Sequence, residues 1–213
     1  LPPRTPQARP VAVQRCGSLQ RGEPCDSYED YNLGVRCIVH GGGFPDAMFP
    51  AVYNANMRIL QSPGLVAISY ELIHDTRIIT LDASAQPAPF RSSGVPTHMG
   101  TARGRWDGTT LVVDSGDFQI GTRGATPGLR LIERFTRTGG DAIQYQVTFI
   151  DPATWTAPWT AALDLKARPE SAGVFEYACH EGNHGMLNML STARYLERTA
   201  GEREPRRPSQ EPR

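Results

Sequence analysis

The chain has 213 residues, a formal net charge of +0 and 39% hydrophobic residues. This length suits one domain with flanking segments, and the neutral charge gives no support for binding to nucleic acid or to an anionic membrane surface. No apolar run approaches the roughly 20 residues that cross a bilayer. No signal peptide is visible, and LPPRTPQARP is compatible with a mature start left after removal of one.

The four cysteines bear on the cellular compartment. They contain no CxxC spacing, so three disulfide pairings are open. A bond between the neighbours Cys16 and Cys25 would leave Cys37 and Cys179 to tie the beginning of the β-rich part to its end. Such bonds form in oxidising compartments and predict a periplasmic or secreted protein, whereas four buried thiols in a cytosolic protein are the alternative.

The first part of the chain divides into an arm and a series of strands. Residues 1–34 hold proline, glycine and arginine without periodicity, which predicts an irregular N-terminal arm. The β-type segments that follow are VRCIVH (35–40), MRILQ (57–61), GLVAISYELI (64–73) and TRIITL (76–81). His74-Asp75 suits a tight turn before the last of them.

Two hairpins follow. Asp107-Gly108 lies between two β-like runs, and TGGD (138–141) separates LRLIERFTR from AIQYQVTFI. In the latter run, alternate residues from Ile143 to Phe149 are apolar, which predicts one dry and one wet face. DPATWTAPWTAALDL is predicted to be a turn leading into a strand, GVFEYACH (173–180) a further strand, and Trp106 a core residue.

One helix is predicted near the C-terminus, from Met186 to Arg198, where apolar residues recur at helical spacing. Asn183 is a good N-cap for it. The last segment, 201–213, is a polar, proline- and arginine-rich tail, and its composition is typical of disorder. Residues 35–200 are therefore predicted to form a mainly β domain, an antiparallel barrel or sandwich built from hairpins, with the helix packed against it.

The segment HEGNH (180–184) has the His-Glu-x-x-His spacing of zinc metalloproteases. In those enzymes the two histidines lie one turn apart on a continuous helix. Here Gly182, Asn183 and Gly185 favour a loop that ends at a helix start. His180 and His184 are therefore weak candidates for a metal site.

A second candidate site centres on YELIHDTR, where Glu71, His74 and Arg77 lie close in sequence. A carboxylate near a histidine inside a β-pocket is a workable general acid/base pair, and His180 or Glu181 could join it. The alternative is an ion pair of Arg77 with a carboxylate, and a histidine that faces solvent at a hairpin end.

Trp155 and Trp159 are candidates for a pocket floor or an interface anchor, with an aromatic lid over the core as the alternative. HGGG (40–43) has the composition of an esterase oxyanion loop, but no G-x-S-x-G occurs, so we interpret it as a turn. The chain also lacks a G-x-G-x-x-G motif and a P-loop, and no cofactor is predicted.

Three segments resemble a family of secreted bacterial proteins of unassigned function: RGRWDGTTLVVDSGDF, RLIERFTRTGGDAIQYQVTFIDPATWTAPWT and FEYACHEGN. The resemblance covers roughly residues 35–198 and implies an exported β-rich domain, but no catalytic residue. Family members carry an aromatic residue at the position of His184, which counts against a second zinc ligand. Cys37 and Cys179 fall inside the shared motifs, which supports their pairing.

The incomplete catalytic sets favour a non-catalytic function. We expect an extracytoplasmic binding or accessory protein, for example a periplasmic subunit docked on a respiratory or photosynthetic membrane complex, with protein partners that contact residues 1–34 and 201–213. The first alternative is a small-molecule lyase, isomerase or hydrolase with an acid/base pair in a β-pocket. The second is a zinc hydrolase that uses the His-Glu-x-x-His segment.

Overall fold

The computed structural model describes residues 1–8, 27–39, 49, 53–82, 92–119, 124–169 and 172–200. One sheet of eight strands dominates it, and the strands lie in the sheet in their sequence order. They are β1 (Met57–Ser62), β2 (Leu65–Tyr70), β3 (Thr76–Leu81), β4 (Thr101–Asp107), β5 (Thr110–Gly116), β6 (Arg130–Arg137), β7 (Ala142–Ile150) and β8 (Trp159–Lys166). The sheet curls into a half-barrel and is followed by the helix α1 (His184–Ala200), so the mainly β fold with a C-terminal helix is confirmed.

Neighbouring strands are antiparallel except β3 and β4, which run parallel. The predicted hairpins are both present. In the first, Gly108 occupies the first loop position with a φ of 59°, a left-handed conformation that glycine adopts without strain. The second joins β6 to β7, and Thr138 N–H closes its loop on the carbonyl of Ala142 at 3.0 Å.

The apolar core lies inside the half-barrel, because alternate side chains of each strand point to the same face. In β7 the dry face is confirmed: Tyr145, Val147 and Phe149 are buried, while Gln144 is exposed. Apart from Trp106 near the hairpin tip, strand β4 contributes small inward residues, and a Cβ on Gly104 would lie 2.8 Å from Ile79 and 2.9 Å from Leu81. Because Gly104 has no side chain, the side chains of Ile79 and Leu81 can pack directly on the backbone of β4.

Three predictions about strands are wrong. Residues 35–39 form turns rather than a strand, since Val35 N–H bonds to the Asn32 side chain and Cys37 has a φ of 56°. Residues 173–180 contain no strand. The long strand over 64–73 ends at Tyr70, where the chain enters a short 3-10 turn (Leu72–His74).

Trp106 is also not a core residue, because its exposed fraction is 48%. It lies near the tip of the β4–β5 hairpin, paired with Leu111. Strand β3 pairs with β4 only as far as Gly104, so on that side no described strand lies next to the inward-facing Trp106.

The disulfide between Cys37 and Cys179 is confirmed, with Cα atoms 5.7 Å apart and a sequence separation of 142. It joins the turn region after the arm to the segment that precedes α1. Cys16 and Cys25 lie outside the described residues, as do HGGG (40–43) and the tail 201–213.

Helix α1 agrees with the predicted helix, and Asn183 caps it by accepting a hydrogen bond from Met186 N–H at 3.3 Å. The same side chain donates to the carbonyl of Val35 at 2.8 Å. The apolar face of α1 packs on Tyr31 and Val35, so its hydrophobic contacts are with the segment 27–39 and form a cluster separate from the sheet core. Among the described residues, no helix combines the length and apolar character needed to cross a bilayer.

The first residues of the chain are held by the turn before β8. Thr5 N–H donates to the carbonyl of Thr154 at 2.9 Å, and Thr156 N–H donates to the carbonyl of Pro3 at 3.1 Å. Arg4 adds a bond from Nη2 to the carbonyl of Gly124 at 3.1 Å. This part of the predicted arm therefore has its contacts within the chain.

Candidate functional site

Glu71 lies just after β2 and is buried. Its carboxylate accepts hydrogen bonds from the side-chain amides of Asn54 at 2.6 Å and Asn56 at 2.7 Å. The hydrogen bond from Asn56 lowers its pKa most, burial opposes that effect, and the amide of Asn54 and the backbone N–H of Phe175 lower the pKa further. The carboxylate is therefore held ionised and joins three separate segments of the chain.

The turn beyond Glu71 is strained. Ile73 has a φ of 61° and His74 a φ of 59°, a left-handed conformation that is unusual for any residue except glycine and rare for a β-branched one. Each such residue costs of the order of 1–3 kcal/mol and persists only where surrounding contacts hold it. Here Tyr70 N–H bonds to the carbonyl of Asp75 at 2.8 Å, and His74 Nε2 accepts from Tyr177 N–H at 3.0 Å.

Glu71 and His74 thus contact the same segment, which contains Phe175 and Tyr177. Tyr177 also stacks at a tilt against Tyr53, with ring centroids 6.3 Å apart and hydroxyls 3.4 Å apart. The segment leads within two residues to the disulfide at Cys179. The region is best described as a junction between the sheet and the disulfide-bonded segment.

Arg77 lies elsewhere, inside the half-barrel. Its side chain is 1% exposed and forms a bidentate ion pair with Glu133, at 2.9 Å from Nη1 and 2.6 Å from Nη2. Nη2 also donates to Ser115 Oγ at 3.1 Å, and the hydroxyl of Tyr145 donates to Glu133 at 2.7 Å. Burial alone would lower the pKa of Arg77, but the facing carboxylate of Glu133 raises it well above its ordinary value.

The Tyr70 hydroxyl lies beside this ion pair. Burial raises its pKa to about 12, and the charge of Arg77 offsets part of that rise. Despite this proximity, neither the Tyr70 hydroxyl nor Arg77 Nε has a hydrogen-bond partner of adequate geometry. The two charged groups at the centre of the cluster are fully paired, whereas the Tyr70 hydroxyl and Arg77 Nε at its edge are not hydrogen-bonded.

The predicted site residues are therefore not brought together. Because the strand ends at Tyr70 and a 3-10 turn follows, Glu71 and Arg77 do not share a strand face. No hydrogen bond joins any two of Glu71, His74 and Arg77 in the described structure. His180 and Glu181 lie in an exposed turn before α1.

The His-Glu-x-x-His segment does not form a continuous helix. The chain turns at Gly182, whose N–H bonds to the carbonyl of Ala178 at 3.2 Å, and α1 begins only at His184. The two histidines are therefore not presented one helical turn apart. In the part of the chain that the structure describes, no three His, Cys, Asp or Glu residues lie together as metal ligands.

The two tryptophans belong to the core. Trp159 stacks on Phe149 with ring centroids 4.0 Å apart, and Trp155 meets Trp159 edge-on at 5.5 Å. Trp155 is buried and Trp159 half-buried. The two rings thus cover the apolar core and do not line a pocket floor in the described structure.

Three residues of the two clusters were not predicted from the sequence: Asn54, Asn56 and Glu133. Glu133 carried a usable signal, since it occupies an inward position of β6 between the buried Leu131 and Phe135. A charge on the dry face of a strand predicts a buried partner. The two asparagines carried none, because their role depends on a carboxylate 15 or more positions away.

Comparisons of the chain with models of protein families, with curated proteins and with solved structures found no match.

Proposed function

We propose that the protein is a non-catalytic binding or accessory protein that works outside the cytoplasm. The observation that carries this proposal is the environment of Glu71. A catalytic carboxylate needs a pKa near the working pH and access to a substrate proton. Glu71 instead has a lowered pKa and accepts hydrogen bonds from Asn54, Asn56 and Phe175 within a buried junction.

The disulfide supports the location. Cys37 and Cys179 are bonded across 142 positions, and such structural bonds persist mainly in extracytoplasmic compartments. The bond holds α1 and the segment before it against residues 27–39. A protein that relies on this bond for its C-terminal part is suited to the periplasm or to the outside of the cell.

The partner we propose is a protein assembly at the membrane, such as a respiratory or photosynthetic complex. The contacts would come from the terminal segments, 1–34 and 201–213, whose polar and arginine-rich composition suits a docking surface on another protein. Within the first segment, residues 1–8 already pair with the turn at 153–156, so they are the least suited to that contact.

Enzymatic function ranks second because its candidate residues are committed to other contacts. His74 accepts a backbone hydrogen bond from Tyr177, and Arg77 is paired with Glu133 inside the half-barrel. Acid/base chemistry would require these groups to converge on one substrate, and they lie in two different places.

Limited proteolysis with trypsin tests the proposal. The monomeric full chain and the chain bound to membranes of its source cells are digested in parallel, and cleavage after Arg203 and Arg206 is followed by mass spectrometry. We expect cleavage in the monomer and protection on the membrane. Arg137, an exposed residue of the β6–β7 hairpin, serves as the internal control for accessibility. Equal protection of the tail in the isolated monomer would contradict docking through it.

A further inference from the structure

A cleft opens between β3 and the chain that precedes β4. Its volume is about 410 Å³, within the range of pockets that hold small molecules. Strands β3 and β4 pair only from Ile79 and Ala102 to Leu81 and Gly104. Ahead of that pairing, residues 75–78 on one side and 97–100 on the other line the opening.

The cleft exists because residues 97–100 are hydrogen-bonded to the segment after β5 and not to β3. Thr97 forms a bridge with Phe118, through Thr97 N–H to the Asp117 carbonyl at 3.0 Å and Gln119 N–H to the Thr97 carbonyl at 2.8 Å. Gly100 then turns with a φ of 69°, and a Cβ there would lie 2.5 Å from the carbonyl oxygen of Gly116. The chain is thereby drawn away from β3.

One side of the cleft is a stretch of the β3 edge with which no described strand is paired. Tyr70 N–H bonds to the Asp75 carbonyl and Leu81 N–H to the Gly64 carbonyl, so the odd-numbered residues of β3 face β2. In an antiparallel pair the bonding direction alternates along the strand. The backbone N–H and carbonyl of Thr76 and the N–H of Ile78 therefore point towards the cleft, whereas the Ile78 carbonyl is used in the parallel pairing with Ala102.

Two buried side-chain atoms add polar groups without partners. His98 lines the cleft, and its Nδ1 is buried with no hydrogen-bond partner. Arg77 also lines the cleft, with a side chain 1% exposed, and its Nε is buried without an acceptor although both Nη atoms are engaged. Unmatched buried polar atoms are rare in folded proteins and call for a partner.

The charge and the apolar lining narrow the ligand class. The Arg77 charge is already balanced by Glu133, and Asp75 also lines the cleft, so an added anion would be repelled. Ile38, Val39 and Met99 supply apolar contacts. We propose that this cleft binds a small uncharged amide with a short branched apolar group. Its carbonyl accepts from the strand edge or from the side-chain donors, and its N–H donates to the Thr76 carbonyl.

Binding is tested on the full chain by NMR titration with isobutyramide, using isobutyrate as the charged comparator of the same shape. We expect saturable shifts of the backbone amides of residues 76–78 and 97–100, with a Kd in the millimolar range, and at least tenfold weaker binding of isobutyrate. Absence of saturable shifts, shifts confined to other residues, or equal binding of the two probes would overturn the proposal.

Two matched pairs of variants complete the test. Ile78→Trp fills the cleft, whereas Leu60→Trp alters a side chain of the same outer row that is equally exposed, at 53% against 52%, and lies outside the cleft. We expect the first to weaken isobutyramide binding at least tenfold and the second to leave it unchanged. His98→Phe should weaken binding several-fold, and His180→Phe, in the exposed turn, should not. Wild-type affinity in Ile78→Trp would contradict the site, and because no partner takes part, this outcome is independent of membrane docking.

Discussion

Arg168 Nη1 donates a hydrogen bond of 2.7 Å to Asn56 Oδ1, and this contact joins the two edges of the curled sheet. Arg168 follows β8, the last strand, and Asn56 precedes β1, the first. The amide of the same asparagine donates to the buried carboxylate of Glu71 at 2.7 Å. The edge contact and the junction at Glu71 are therefore one connected set of hydrogen bonds.

Replacing Arg168 tests the edge contact. Arg168→Gln removes the bond to Asn56 and should lower the free energy of unfolding by about 0.5–1.5 kcal/mol, the usual net value of one hydrogen bond. Urea denaturation at neutral pH measures the change. Arg58→Gln, on the exposed outer face of β1, is the matched control and should have almost no effect. Equal losses in both variants would show that the contact does not stabilise the fold.

The ion pair between Arg77 and Glu133 predicts a strong asymmetry between single and double variants. Arg77→Met leaves the buried Glu133 without its counter-charge and should cost about 3–5 kcal/mol. Arg77→Met combined with Glu133→Leu removes both charges and should recover more than half of that loss. The measurement is the free energy of unfolding of the double variant and of both single variants, Arg77→Met and Glu133→Leu. A double variant that loses the sum of the two single changes would contradict a coupled buried pair.

Reduction of the Cys37–Cys179 bond should release α1 before the sheet. The chain-entropy model assigns a loop of this length about 5 kcal/mol, and α1 rests on the small cluster around Tyr31 instead of the sheet core. In the variant Cys37→Ala/Cys179→Ala, hydrogen exchange should therefore accelerate in residues 184–200 while β5 to β7 stay protected. Uniform acceleration across sheet and helix would show instead that the two parts unfold as one unit.

The parts of the fold that were predicted correctly are those with local patterns. The alternation from Ile143 to Phe149 and the turn residues at Gly108 specify strands and hairpins within short windows of sequence. Asn183 also carries a local signal, because capping involves only the next three residues. Each of these elements is set by neighbours in the sequence.

The parts that were wrong depend on distant contacts. The apolar run through Ile73 is typical of a strand, yet Tyr177 and Asn56 hold the turn that interrupts it after Tyr70. Likewise, the cleft beside β3 arises because Thr97 pairs with Phe118, and this pairing cannot be predicted from the residues next to either one in sequence. The candidate site was predicted as one cluster because Glu71 and Arg77 are close in sequence. The turn between them directs the two side chains to different partners, Asn54 for Glu71 and Glu133 for Arg77.

The central claim is that Glu71 is a structural anion rather than a catalytic base, and Glu71→Gln tests it most directly. The pKa of Glu71 is lowered from 4.5 on folding, so the ionised carboxylate stabilises the fold above that pH, and this contribution is lost as the pH falls through the lower folded value. At neutral pH, Glu71→Gln should cost about 1–3 kcal/mol, because the new amide faces the donors of Asn54 and Asn56.

The decisive measurement is the difference in unfolding free energy between wild type and Glu71→Gln as a function of pH, with Glu181→Gln in the exposed turn as the control. We predict a full difference at neutral pH that shrinks as the pH falls below 4.5, and no comparable trend in the control. A variant that is more stable than wild type at neutral pH, or a difference that does not change with pH, would contradict the structural role of this carboxylate.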